Sequence, residues 1–141
     1  MFDMTGEKKM IMQVSCVQLH WAKSLKSNLE KTLAYIAAAA KEGSRVVLFP
    51  EASLTGYYFP YLVTLDKQKI EESLRQVCLA ARQHDVWSIV GTIQATHDRY
   101  LNLAHVINRK GIIVHEYAKV NMAGKDELKY CRGGDKLSLF E

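Results

Sequence analysis

The sequence predicts an α/β domain: a mixed sheet with two helices on one face. Two patterns lead there. Short apolar, β-branched runs alternate with helix-period segments through the first part of the chain. The later runs follow one another without helices between them, as strands of a meander do. Size agrees, since 141 residues with 48% hydrophobic content suit one domain with its own core.

The opening "MFDMTGEKKM", residues 1–10, has no apolar core of signal-peptide length and reads as a flexible N-terminal tail. Residues 11–141 are then the domain. "MIMQVSCVQL", Met10 to Leu19, reads as a strand. Leu25, Leu29, Leu33, Ile36, Ala37 and Ala40 recur at helical spacing, with Ser24 and a capping box from Ser27 to Glu30 competing for the start. Gly43 is the natural stop, because glycine takes the left-handed conformation at low cost. "RVVLFP" is a short, continuously apolar strand of the kind covered on both faces. A long loop, "EASLTGYYFPYLVTL", leads to Asp66. That residue caps a second helix whose apolar face is Ile70, Leu74, Val77, Cys78 and Ala81. "VWSIVGTIQA" is the next strand, and "NLAHVIN" and "IIVHEYA" form a hairpin through "NRKG". The remainder, "KVNMAGKDELKYCRGGDKLSLFE", reads as polar loop before a short apolar end.

Composition excludes several classes. The net charge of +4 comes from basic residues interleaved with acids, so no nucleic-acid partner is expected. No apolar run approaches membrane-spanning length, so no membrane partner is expected either. Cys16, Cys78 and Cys131 are too few and too scattered for a disulfide framework or a zinc site, and they point to a reducing compartment, the cytoplasm. His20, His84, His97, His105 and His115 share no metal-ligand spacing. No glycine pattern cradles phosphate, and neither metal nor other cofactor is expected.

Ligands of open α/β sheets bind at strand ends, and two charged residues occupy such places. Glu51 follows "VVLFP", where Pro50 ends the ladder and holds Phe49 extended. Lys119 follows "IIVHEYA". A carboxylate emerging from an apolar wall suits a general base, and a lysine brought close to it suits an oxyanion. Glu127 is a third candidate, eight residues after Lys119. Position alone also allows a solvated Glu51 and Lys119, and a Glu127 within a charged surface turn. Tyr57 and Tyr58 either line a pocket or cap the core with their hydroxyls in water.

Taken in series, these residues resemble the nitrilase, or carbon-nitrogen hydrolase, superfamily. "VVLFPEASLTGYY" is similar to its first signature, "VSCVQL" to its opening strand, and "YLNLAHVINRKGIIVHEYAKVNM" to its middle strands and lysine signature. "DELKYCRGGD" is similar to the loop that carries a further glutamate and a glycine turn. The resemblance implies a four-layer α-β-β-α sandwich, of which this chain is the N-terminal portion. It implies that Glu51 is the general base, Lys119 the stabiliser of the tetrahedral intermediate and Glu127 the second glutamate; of the two tyrosines, Tyr57 is the candidate for binding substrate. The implied reaction hydrolyses non-peptide C–N bonds of a small amide, carbamoyl compound or nitrile through a Cys-Glu-Lys mechanism. The resemblance puts the nucleophilic cysteine in a strand-to-helix elbow downstream of Glu141, so the chain alone is expected to be inactive. It is expected to form a homo-oligomer or to continue into a C-terminal half. The alternative is a truncated or degenerate homologue that binds a ligand or a partner.

Overall fold

A computed structural model describes residues 12–140. The expected tail, and Met10 and Ile11 of the expected first strand, lie outside the described residues. The elements run β1 (Val14–Cys16), α1 (Leu25–Lys41), β2 (Val46–Leu48), α2 (Phe59–Leu62), α3 (Lys67–Gln83), β3 (Trp87–Ala95), β4 (Tyr100–Ile107), β5 (Ile113–Ala118) and α4 (Gly124–Tyr130).

One five-stranded sheet holds them in the order β1-β2-β3-β4-β5. β1, β2 and β3 pair in parallel through two helical crossovers, and β3, β4 and β5 pair antiparallel as a meander. This is the mixed sheet expected. β1 is shorter than expected because its partner β2 offers only three residues, Val46 to Leu48.

Both long helices begin on a side-chain cap and end tightly. Ser24, not Ser27, caps α1, its Oγ accepting from the Ser27 N–H at 3.2 Å. At the other end Gly43 takes φ +86°, so that its N–H reaches Ala40 O and that of Ser44 reaches Ala39 O. Asp66 caps α3 through the Gln68 N–H at 2.9 Å. The helices pack on one face of the sheet, where Leu29, Ile36, Ile70, Leu74 and Val77 bury Val47, Val90 and Ile107. Burying such side chains contributes about 1.5–3 kcal/mol each.

The other face of the sheet carries Val14 and Leu48, both exposed, beside partly covered Trp87 and Ile89. Two stretches expected to be loop contain helices. α2 has four residues and α4 seven, too short for apolar periodicity to announce them. Among the described residues no helix is long and apolar enough to cross a membrane.

Candidate active site

Glu51 owes its position to a replacement of backbone by side chains. β3 runs on beyond the end of β2, so its next N–H groups have no strand beside them. The turn "PEASLT" fills the gap. Ser53 Oγ accepts from the Gly91 N–H at 3.3 Å and Thr55 Oγ1 from the Ile93 N–H at 2.9 Å, while the Leu54 N–H donates to Gly91 O at 3.0 Å. Ser53 and Thr55 are fully buried, so these hydroxyls satisfy donors that water cannot reach. Gly91 permits the close approach, since a Cβ there would lie 2.4 Å from Ala52 N. Ala52 itself takes φ +51°, a left-handed conformation costing about 1–2 kcal/mol outside glycine. Glu51 thus stands on a turn locked from both sides.

Lys119 follows β5, its N–H bonded to Asn102 O on β4 at 2.9 Å. Strand alternation puts it with Tyr117 on the face away from the helices. Its Nζ lies 2.7 Å from Glu51 Oε1 and 2.9 Å from each oxygen of Glu127. Burial pulls the Lys119 ammonium down, but its hydrogen bonds to Glu51 and Glu127 and their charges outweigh this and hold it above its usual value.

Glu127 sits on α4 and is buried, which overturns its reading as part of a surface turn. Its carboxylate folds back to the start of its own helix, where Oε2 accepts from the Ala123 N–H at 2.6 Å. Oε1 accepts from Asn102 Nδ2 at 2.9 Å, and the Tyr57 hydroxyl donates as well. Burial alone would raise this carboxyl. The donors from Ala123, Lys119, Asn102 and Tyr57 prevail and lower it to about 2. Glu127 is therefore a fixed anion that keeps Lys119 charged and aimed. The helix is tied to the start of β4 by the Arg132 N–H on Tyr100 O and by Arg99 Nη1, 3.3 Å from Cys131 O.

Tyr57 packs edge-on against Phe59, with ring centroids 5.7 Å apart. Burial, its bond to Glu127 and the charges of Glu127 and Glu51 push its phenol well above the usual range. Tyr58 turns outward beneath Lys23, whose Nζ lies 3.9 Å from the ring centre.

The sequence reading missed Asn102. Its side chain touches both glutamates, and the signal was an amide within an otherwise apolar strand, a residue type that strands disfavour. Glu51 Oε1 takes Asn102 Nδ2 at 2.5 Å together with Lys119, and Oε2 takes no hydrogen bond among the described residues. Beside it lies a hollow of about 230 Å³ lined by Leu48, Ile89, Gly91, Ala104 and Tyr117. The arrangement offers a carboxylate with one open oxygen, a locked cation beside it and an apolar floor. Such a set can exchange a proton with a small polar ligand and hold negative charge developing on it.

The thiols stand differently. Cys131 is buried, and burial with the charge of Glu127 pushes it up to about 11 despite Lys119. Burial also raises Cys78, on α3, and Cys16 is exposed on β1.

Comparison with known proteins shows the family and the fold. The family model for carbon-nitrogen hydrolases matches residues 13–141. Nitrilase homolog 2 of Dictyostelium discoideum is 22% identical over 121 residues, covering 83% of this chain and 37% of that protein. An arylacetonitrilase of Aspergillus oryzae is 28% identical over 108 residues, covering 68% of this chain and 32% of that protein. An amidase from Nesterenkonia sp. superposes with a TM-score of 0.81 at 18% identity, over 91% of this chain and 51% of the amidase. One structure of the Nesterenkonia amidase carries an acetamide moiety covalently added at its active-site cysteine. The chain spans about a third of the length of these curated relatives and about half of the solved amidase.

Proposed function

The chain belongs to the carbon-nitrogen hydrolase family, and from that premise we propose that it supplies the acid-base half of a catalytic unit hydrolysing a small amide, carbamoyl compound or nitrile. The observation that carries this is the Lys119 ammonium between Glu51 and Glu127, with Glu51 and Lys119 both lining the hollow. Glu51 is the base, Lys119 the cation for the oxyanion, and Glu127 the anion that fixes Lys119. Tyr57, beside Glu127 and not among the residues that line the hollow, steadies Glu127 through its hydroxyl and contacts substrate from there.

In this reading the attacking thiol comes from residues beyond these 141, in a C-terminal half or in a partner. Glu51 takes the thiol proton as sulfur bonds to the substrate carbon. For an amide, the carbonyl oxygen becomes an anion facing Lys119, and the C–N bond breaks as Glu51 returns the proton to the leaving nitrogen. Water, deprotonated by Glu51, then releases the acid and restores the thiol. Cys131 does not take this part, because it is buried and its thiol is raised.

The sheet face opposite the helices supports a further layer. Phe140 reaches that face, bounding an apolar hollow with Met12, Val46, Trp87, Ile89 and Val106. An apolar face of this kind seldom stays bare. A second sheet completes the sandwich, from the same polypeptide or from another copy, and the compartment is the cytoplasm. The second reading, a homologue that binds a ligand or partner without turnover, is favoured by one observation: Cys78 and Cys131, the two thiols that are not exposed, are both raised by burial.

Ammonia release from acetamide and propionitrile tests both readings. The 141-residue chain is expected to release none, and release is expected once a family C-terminal half carrying the elbow cysteine is joined to it. Failure of the joined protein overturns the hydrolase reading in favour of binding. Release by the chain alone, abolished by Glu51→Ala, overturns the external thiol.

A further inference from the structure

We infer that Asn102 is the positioning residue of this site: it divides the two hydrogens of one amide between two carboxylates and so sets the aim of Glu51. The inference rests on the reading of Glu51 as the base. Asn102 Nδ2 lies 2.5 Å from Glu51 Oε1 and 2.9 Å from Glu127 Oε1. The backbone carbonyl of Asn102 accepts the backbone N–H of Lys119 at 2.9 Å, so one β4 residue touches both carboxylates and anchors the main chain of the lysine between them. The orientation of the amide follows from chemistry. Two carboxylates repel the carbonyl end, and only the NH₂ end has a hydrogen for each.

The need for such a residue follows from counting donors. An ammonium has three hydrogens. Lys119 directs its contacts to Glu51 Oε1 and to both oxygens of Glu127, which uses them all. Glu51 is then held by Lys119 alone on a half-exposed side chain, free to turn about that single bond. A second donor on the same oxygen fixes the carboxylate plane and leaves Oε2 without a hydrogen bond among the described residues. It must be neutral. A further cation would neutralise the base, and a further acid would add repulsion beside two carboxylates that share one lysine. Packing gives no reason for an amide here, because a buried amide costs free energy unless it is hydrogen-bonded and a β-branched side chain suits a strand better.

The test reads the two Asn102 side-chain amide protons by ¹H–¹⁵N NMR on the full chain near neutral pH, in the wild type and in Glu51→Gln. In the wild type both protons are expected downfield of free asparagine amides and slow to exchange. In Glu51→Gln one of the two loses its downfield shift and the other keeps it. Two protons at free-amide positions, or a Glu51→Gln spectrum in which neither moves, would overturn the proposal. The wild-type spectrum alone decides the first point, so the proposal stays falsifiable if the variant folds poorly. Amide shifts do not depend on turnover, so failure of the hydrolase reading in the ammonia assay leaves this result separate.

Discussion

The Lys119 ammonium lies 2.7 Å from Glu51 Oε1, although 68 residues separate the two along the chain. Four strands accomplish this. β2 stops early and releases Glu51 over Gly91 of β3, and two antiparallel pairings carry the chain across to Lys119 beyond the end of β5. Backbone hydrogen bonding thus sets the distance between the two charges, and side-chain attraction refines it.

Glu127 makes stability depend on pH at the acid end. Its carboxyl is lowered from 4.5 to about 2 in the folded chain, so the folded state binds fewer protons than the unfolded one across that interval. The contribution is present above pH 4.5 and is lost as pH falls through about 2. It amounts to roughly 3 kcal/mol at 1.36 kcal/mol per unit. Urea denaturation between pH 6 and pH 2 should show a steeper loss of stability for the wild type than for Glu127→Gln. Parallel curves would contradict this.

Thr55→Val should destabilise the chain by about 1–3 kcal/mol, because the buried Ile93 N–H loses its acceptor while the side-chain shape is kept. Thr55→Ser retains the oxygen and should lose less. Chemical denaturation of the two variants separates the lost hydrogen bond from lost packing.

Gly91→Ala places a methyl group against Ala52 N and Pro50 O, both backbone atoms that cannot rotate aside. The expected cost is about 1–3 kcal/mol. The turn carrying Glu51 should lift, and a crystal structure of the variant should show the Glu51–Lys119 contact lengthened or broken. An unmoved turn would mean that the strand, not the turn, yields.

Cys131 should resist alkylation. A thiol at about 11 is roughly one part in a thousand thiolate at pH 8. Iodoacetamide labelling of the native chain, read by mass spectrometry, should mark the exposed Cys16 first and leave Cys131 unmodified until unfolding. Rapid labelling of Cys131 would reopen its candidacy as a nucleophile.

Much of this was legible in the sequence, and what was not has physical reasons. The long helices announced themselves through apolar spacing and through Ser24, Gly43 and Asp66 at their ends. The strands did so through β-branched runs, and Glu51 through the proline before it. The short helix α4 has too few turns to show a period, so Glu127 looked like part of a charged turn when it is buried. Asn102 stayed hidden because its partners lie 51 and 25 residues away, and only the pairing of β4 with its neighbours brings them together. The buried hydroxyls of Ser53 and Thr55 stand in for a strand, a role that no local pattern marks.

The proposed chemistry requires Glu51 and Lys119 to act on one another inside one hollow. The most direct measurement is the titration of the Lys119 side-chain nitrogen by ¹⁵N NMR in the wild type and in Glu51→Gln. A midpoint above that of a free lysine is expected in the wild type, with a clear fall in the variant. An identical Lys119 midpoint in the two proteins would contradict it.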